Sequence, residues 1–530
     1  MGNRKQISVA TSTDQVNSAS RCTVTALHRS VDALDAPIPS SNSATSVHTL
    51  GRKLVCFPVL LGVLLMAGVV VSLRLSLPDP DTWFHVAAGE EILTTHALPR
   101  TDHYSFTAYG NDSIAPEWLG EVLIAAADRL GGLRGLMALL VIGSCALMLL
   151  LYYYAALRSA NSKAAFAACT LLLPLITGFC HLRPQLFGYM LLLVALIWLE
   201  RFRQGRQRSL WALPVLFVFW VNLHGTFIFG LMAVGLYWAS GLFGFRMGGI
   251  VAERWTDRQR RHLLLVMLFC IAALPLTPYG VKLASYTFHV IRHASLGMAN
   301  ITEYQPLGVY PPLLKLFLAL ILPFVLAQVL FAFTYRLEEI VLLLAAVYGA
   351  SVHSRLLLFF GLVFAPLLAL LLSRWIPRYE AAKDRHLLNA ALIVLIGAGL
   401  LKALPSRNDL QQQVAAEYPR RALDYLRAHP AVGPMFNDYG WGGYLIWAYP
   451  ERKVFIDGRS QIYEDNGVYQ DYLSIMGVEK DTLVLLRKYN VDACLVSARS
   501  PIATFLGALP DWQRAYSDDL STILVRRKGS

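Results

Sequence analysis

Leu54–Leu73 reads LVCFPVLLGVLLMAGVVVSL, twenty residues without a formal charge. Wound as a helix at about 1.5 Å per residue it is about 30 Å long, the thickness of a bilayer's hydrocarbon core. A backbone in lipid must satisfy its own polar groups, so a run of this kind reads as a membrane-spanning helix. Working outward, similar runs cover Leu136–Leu157, Ala164–Cys180, Pro184–Leu199, Leu263–Val281, Leu316–Tyr335, Leu356–Ser373 and Leu387–Leu401. Leu210–Phe245 also lacks a formal charge but at about 54 Å is too long for one crossing. It reads as two helices turning at Asn222-Leu223-His224-Gly225. With the short run Ile340–Val352 the count is eleven crossings. The fold class expected is a polytopic α-helical membrane protein with a soluble α/β domain at its C-terminus.

Composition agrees. Of 530 residues, 55% are hydrophobic and 15% charged, where a soluble enzyme would carry about a quarter. The net charge of +12 needs no nucleic acid to explain it, because Lys and Arg gather in short connections between the runs. Arg201, Arg203, Arg206 and Arg208 crowd one; Arg246, Arg254, Arg258, Arg260 and Arg261 another; Arg374, Arg378, Lys383 and Arg385 a third. With eleven crossings all three fall on one side, which the bias of basic residues makes cytoplasmic. The expected protein is a multi-pass inner (plasma) membrane protein with its N-terminus in the cytoplasm. Residues 1–50, polar and rich in Ser and Thr, read as a flexible cytoplasmic tail. Residues 51–404 are the transmembrane part, with long outer loops at 78–132 and 277–312. Residues 405–530 form an extracytoplasmic domain. In the first outer loop a helix is expected over Trp83–Leu93. In the last domain helices are expected over Arg420–Ala428, Tyr469–Met476 and Thr482–Tyr489, with strands around Met435, Val454–Ile456 and Ala493–Val496 and a hairpin over Ala515–Arg526. The seven cysteines contain no CxxC spacing, which argues against a zinc site or a disulfide scaffold.

Ionisable residues collect at the outer mouths of these helices. They include His85, His96, His103, His181, His224, His289, His293 and His353, the acids Asp79, Asp81, Asp102, Glu117 and Glu303, and Arg183 and Arg355. Charges at such positions are costly unless they face a polar cavity, so together they mark a candidate site, although any one histidine also reads as an interface anchor. Leu77-Pro-Asp-Pro-Asp-Thr-Trp-Phe-His85 follows the first span directly. In an extended segment Asp79 and Asp81, two apart, point the same way. Paired carboxylates suit removal of a proton from a hydroxyl, or capture of a divalent cation such as Mg or Mn. The alternative is that Asp81 caps a helix starting near Thr82. Glu117, in Ala115-Pro-Glu-Trp-Leu119, opens the next helical stretch. Arg183 and Arg355 suit a phosphate at the membrane surface, or equally a lipid headgroup. Asn437–Tyr444 and Phe455-Ile-Asp-Gly-Arg459 place aromatics and the Asp457/Arg459 pair near expected strand ends. That placement suits a sugar acceptor or a simple turn with core aromatics.

The order of one helix, an acidic outer loop, many spans and an outer domain resembles the GT-C superfamily of integral membrane glycosyltransferases, which take sugar from a polyprenyl-phosphate carrier. The segments Asp79–Gly89, Pro99–Thr107, Pro116–Glu121, Arg183–Gln185, Asn222–Gly225, Ile301–Leu307 and Phe455–Arg459 resemble an uncharacterised bacterial branch. The resemblance implies an inverting transfer on the extracytoplasmic face. Asp81 or Asp79 removes the acceptor's proton, with Glu117 as a further acid of the catalytic set. Arg183 and Arg355, with His181 and His224, hold the donor phosphate. Asn222, Glu303, Tyr304, Asp457 and Arg459 take the acceptor. The implied partners are a polyprenyl-phosphate-linked sugar, a glycan, lipid or protein acceptor, and membrane lipids. Pro80 and Thr82 flank Asp81 where better-known branches often carry a second acid, so either aspartate could be the base. The resemblance fixes no cofactor; a divalent cation on Asp79 and Asp81 is the one candidate. The competing readings are a transporter or flippase of a lipid-linked saccharide, which would usually show internal repeats, and a non-catalytic membrane scaffold.

Overall fold

Each uncharged run carries a helix: Phe57–Ser72, Leu133–Ser159, Ser162–Thr177, Pro184–Arg203, Ala212–Leu223, Phe227–Ser240, Asp257–Ala273, Pro311–Leu330, Leu337–Val352, Leu357–Leu372 and His386–Ala403. The structure, a computed structural model, describes residues 51–73, 75–77, 79–283, 285–286, 300–331, 333–430 and 433–527. The N-terminal tail expected at 1–50, His289 and His293, and part of the 277–312 loop lie outside the described residues. Among those described, six helices are long and apolar enough to cross a membrane: Gly51–Ser72, Leu133–Ser159, Pro184–Arg203, Pro311–Leu330, Ser354–Leu372 and His386–Ala403. Three further apolar helices, Ser162–Thr177, Ala212–Leu223 and Phe227–Ser240, are shorter.

Ser354–Leu372 is the hub of the bundle, with 78% of its apolar window buried, whereas His386–Ala403 has 6% and faces outward along its length. The hub offers a different aromatic to each neighbour. Phe359 stacks on Phe229 at 4.4 Å between ring centres, Phe360 meets Phe317 at 4.8 Å, and Phe364 meets Phe324 edge-on at 5.0 Å. Each such pair contributes about 0.5–1.5 kcal/mol beyond the area it buries.

Charge is confined to the two ends of the bundle. At one end three ion pairs close a nearly dry layer: Arg158 with Glu339, Arg203 Nη2 with Glu338 at 2.5 Å, and Arg336 Nη1 with Glu200 at 2.5 Å. Arg203 also lies over the Trp255 ring at 4.0 Å. A small sheet sits beside this layer. Its strand β1 (Phe245–Met247) pairs antiparallel with β2 (Ile250–Ala252), which pairs parallel with β3 (Tyr335–Arg336). Pro184–Arg203 runs from this layer to Arg183 at the opposite end, twenty residues and so about 30 Å away. Two polar layers are thus separated by one hydrocarbon thickness.

At the Arg183 end the connection after the first span folds at once into a helix, Pro80–Thr95, rather than the extended segment expected around Asp79 and Asp81. The cause is local. Pro80 occupies the first turn, where its missing N–H is no loss, and the Asp79 side chain accepts the Asp81 N–H at 3.0 Å. The capping residue is therefore Asp79, and Asp81 lies in the first turn. The helix stops at His96, whose φ of 54° is left-handed. Trp118–Gly131 packs across it, and the approach is so close that a Cβ at Gly89 would collide with the Glu121 carbonyl.

In the C-terminal part, strands β4 (Met435–Asn437), β5 (Ala493–Ser497), β6 (Trp512–Ser517) and β7 (Ser521–Arg526) form one sheet in the order β4-β5-β7-β6, parallel between β4 and β5 and antiparallel elsewhere. Helices lie over Arg420–Ala428, Val468–Met476 and Thr482–Lys488. The segment Val454–Ile456, expected as a strand, forms only an isolated bridge to Ser105. Its backbone is taken by other partners. Val454 exchanges hydrogen bonds with Tyr104 and Phe106 of the first loop, the Asn437 amide bonds Phe455 N and Ile456 O, and Thr107 Oγ1 donates to Phe455 O at 2.5 Å. Residues Val55–Ser530 make one compact unit, and this pairing joins its first loop to its last 100 residues.

Candidate active site

Four separated stretches converge on the Arg183 guanidinium. Thr82 Oγ1 donates to the Leu182 carbonyl at 3.0 Å and thereby sets Arg183 beside the start of Pro80–Thr95. Arg183 Nε then meets Asp79 Oδ2 at 2.5 Å, and its Nη1 lies 3.1 Å from Asp81 Oδ2 and 2.6 Å from Glu303 Oε1. Glu303 is brought in by Ser354, whose N–H and hydroxyl bond Gln305 O and Glu303 O at 3.0 and 3.1 Å, and by His353 Nδ1 on Tyr304 O at 2.8 Å.

The two aspartates differ. Asp79 is 5% exposed and committed to Arg183 and to the helix cap. Burial would raise its pKa, but the Arg183 charge and hydrogen bond, with His181 at 3.8 Å, hold it below the usual value. Asp81 keeps 30% of its side chain exposed. Burial, reinforced by the like charges of Asp79 and Glu303, lifts it above the usual value despite Arg183. Of the pair, Asp81 is the accessible one and the one poised to accept a proton.

A second group adjoins the first. Glu117, at the start of Trp118–Gly131, lies 3.2 Å from His224 Nε2 and 3.9 Å from His85 Nε2. Burial pushes Glu117 up to about 7, with Glu121 adding to it and His85 opposing it. Burial, helped by the positive Arg355, His85 and Arg183, pushes His224 down to about 3, so that ring is neutral. Its Nδ1 accepts the Thr226 N–H at 3.0 Å, which leaves the ring proton on Nε2, facing Glu117. His85 goes the other way. Burial would lower it, but its hydrogen bond to Glu121 and the Glu117 charge raise it. Asn222 spends its side chain on structure, accepting from Trp118 Nε1 at 2.8 Å and donating to the Val218 and Leu276 carbonyls. Arg355 lies over the Tyr304 ring at 4.5 Å. Among the described residues it makes no ion pair, in contrast to Arg183.

By sequence, no family model and no curated protein matches this chain, but solved structures do. Archaeal oligosaccharyltransferase AglB from Archaeoglobus fulgidus, in complex with an inhibitory peptide and a dolichol-phosphate, superposes with a TM-score of 0.50 at 13% identity, covering 83% of this chain and 69% of that one. The Archaeoglobus fulgidus oligosaccharyltransferase tethered to an acceptor peptide containing the NVT sequon gives 0.50 at 14% identity, over 82% and 68%. The chain shares the fold of these two structures. Identities of 13% and 14% support a shared fold and nothing finer.

The Asp457/Arg459 pair lies behind the first group. Asp457 is fully buried; Arg459 holds it through Nε at 2.8 Å and Nη2 at 2.6 Å, reaches Asp102 at 2.8 Å, and lies over the rings of Phe84 and Tyr104. Tyr463 completes the clasp with a 2.5 Å bond to Asp457. The pair ties the last third of the chain to the first loop and sets the residue between them, Gly458, against Asp81. A Cβ there would collide with Asp81 Oδ1. Sequence reasoning gave Gly458 no role, because a glycine in Asp-Gly-Arg reads as a turn. Gly458→Ala should therefore push the Asp81 carboxylate away from Arg183 with little loss of stability, so the melting temperature should stay near wild type while the Asp81–Arg183 contact lengthens in a structure of the variant.

A divalent cation does not fit the carboxylates as arranged. Asp79, Asp81 and Glu303 close on Arg183, which already supplies the positive charge they share. No group of three His, Cys, Asp or Glu side chains with metal-holding geometry occurs among the described residues.

Proposed function

We propose that this protein is an inverting glycosyltransferase that moves a sugar from a polyprenyl-phosphate carrier to an acceptor hydroxyl at the extracytoplasmic membrane face. The observation that carries this reading is the meeting of Asp79, Asp81, Glu303 and Arg183 at one polar end of an apolar bundle, with Asp81 still open to solvent. The fold it shares with a dolichol-phosphate-bound oligosaccharyltransferase supports a lipid-linked donor. The basic connections at the opposite end support placing that end in the cytoplasm.

Asp81 takes the proton of the acceptor hydroxyl as the oxygen attacks the anomeric carbon, and the carbon–oxygen bond to the carrier phosphate breaks on the opposite face. A raised carboxylate pKa suits that task, because a base near the working pH both accepts the proton and later releases it. Asp79, held by Arg183, positions the start of the helix that carries Asp81. Arg355, which makes no ion pair among the described residues, takes the phosphate charge as it develops, with the neutral His224 and its Nε2–H nearby. Glu117, near 7, tunes that histidine pair. Asp457 and Arg459 act on the acceptor side by holding Gly458 in place, and Tyr304 supplies an aromatic wall next to Arg355.

Incubating the purified protein with a panel of radiolabelled polyprenyl-phosphate sugars and candidate acceptors tests the reading; transfer from none of them would count against it. On the productive donor, Arg355→Ala should raise KM for the lipid donor about tenfold or more, while KM for the acceptor stays within twofold. An effect confined to the acceptor would remove Arg355 from the phosphate.

A further inference from the structure

A second polar site lies apart from the carboxylate centre. A cleft of about 740 Å³ opens where Trp118–Gly131 turns into the span Leu133–Ser159 and where the helices Arg407–Glu417, Arg420–Ala428 and Gly442–Ala448 close over that turn. Its walls carry five arginines and two aspartates, Asp128 and Asp424. Two of the arginines are engaged. Arg129 holds Glu90 through two bonds of 2.7 and 2.8 Å, and Arg427 bonds the Ala448 carbonyl and approaches Asp424. The side chains of the other three, Arg134, Arg407 and Arg420, make no hydrogen bond or ion pair with any described residue. The largely enclosed guanidinium groups of Arg158, Arg183, Arg203, Arg336 and Arg459 each meet a carboxylate. Against five arginines the walls set only Asp128 and Asp424, so among the described residues the concavity keeps an excess of positive charge.

The position of the cleft narrows the ligand. Leu133 is the first residue of one candidate span, and Arg407 comes four residues after the end of another, His386–Ala403. The far end of Leu133–Ser159 carries Arg158 of the opposite charge layer, so the cleft lies at the Arg183 end, where two spans leave the apolar zone. Tyr444 and Trp447 form an aromatic wall, and both rings pack on Trp83, two residues from Asp81. None of the groups around Arg183, Glu117 or Arg355 lines it.

We infer that this cleft binds the phosphate group of a membrane lipid, a monoester or diphosphate headgroup, held by Arg134, Arg407 and Arg420. Guanidinium forks match phosphate oxygens in charge and geometry, and a cleft at the edge of the apolar zone lets the acyl chains remain in the bilayer. The same chemistry would accept a soluble phosphate, so both sources need testing. The inference does not depend on the proposed glycosyl transfer.

The test measures binding to the full-length protein in detergent. Dioctanoyl phosphatidic acid is the lipid probe, inorganic diphosphate the soluble one, and dioctanoyl phosphatidylcholine the zwitterionic control. Arg134→Gln/Arg407→Gln/Arg420→Gln should weaken phosphatidic acid binding at least tenfold. Arg254→Gln/Arg258→Gln/Arg261→Gln, three arginines outside the cleft, should leave it within twofold. All three cleft arginines are exposed, so the melting temperature should not move. Wild-type binding of phosphatidic acid well above that of diphosphate identifies a lipid site; equal, arginine-dependent binding of the two identifies a soluble phosphate and overturns the lipid assignment. Binding of both probes unchanged in the triple cleft variant overturns the site itself.

Discussion

Asp81→Asn should lower the rate of sugar transfer by about 10²–10⁴-fold, the contribution of a positioned general base, with expression and melting temperature near wild type. The amide keeps the shape of the side chain and its place beside Arg183 but cannot take a proton. The pH profile supplies a second readout. Burial and the charges of Asp79 and Glu303 raise Asp81 above the ordinary carboxylate range, so the acidic limb of kcat should fall at a higher pH than an exposed aspartate would give. Asp79→Asn removes one of those like charges and should shift that limb downward, because Asp79 acts through Asp81 and not on the substrate. Undiminished turnover in Asp81→Asn would exclude it as the base, and an unmoved limb in Asp79→Asn would deny the coupling between the two.

Removing the cation at the centre should have the largest effect on stability. Arg183→Gln strands Asp79, Asp81 and Glu303 together without the guanidinium they share, and breaking a buried ion pair from one side costs about 3–5 kcal/mol. The sign with pH is definite. Arg183 holds Asp79 and Glu303 below their usual values against the opposing effect of burial. In the wild type they therefore contribute stability above the pKa of the unfolded chain, and this is lost only as pH falls through the lowered folded values. In Arg183→Gln that contribution disappears and the crowded carboxylates favour protonation. The variant should melt furthest below wild type at neutral pH and recover part of the gap as pH drops through the carboxylate range. A gap that is constant with pH would mean that Arg183 is not what holds these acids ionised. Transfer should be lost as well, since Asp81 would no longer be positioned.

The helices were legible because lipid imposes a rule on sequence: a backbone with no water nearby must close its own hydrogen bonds, and an uncharged run about a bilayer long leaves one regular way to do so. Boundaries were less legible where side chains decide them. Proline and aspartate spaced as in Asp79-Pro80-Asp81 suit an extended segment as well as a helix start, and the Asp79 side chain on the Asp81 N–H settles it. Val454–Ile456 has strand composition, yet the Asn437 amide and the loop at 104–107 take its backbone groups.

The site followed the same division. Sequence could single out Asp79, Asp81, Arg183 and Glu303 because a charge at the mouth of an apolar helix is expensive and needs a reason. It could not show that three acids share one arginine, that Asn222 is spent on Trp118, or that Arg355 makes no ion pair among the described residues. Nor could it give Gly458 a role, since the residue matters through the atom that a side chain there would displace. Length and polarity are properties of each run alone, so the chain by itself determined where helices form and which residues stand at their ends. Which of those charges meet depends on contacts across as many as 357 positions, from Asp102 to Arg459. Only the packed bundle decides that, because the partner that neutralises a buried charge is whatever the fold sets within about 3 Å of it.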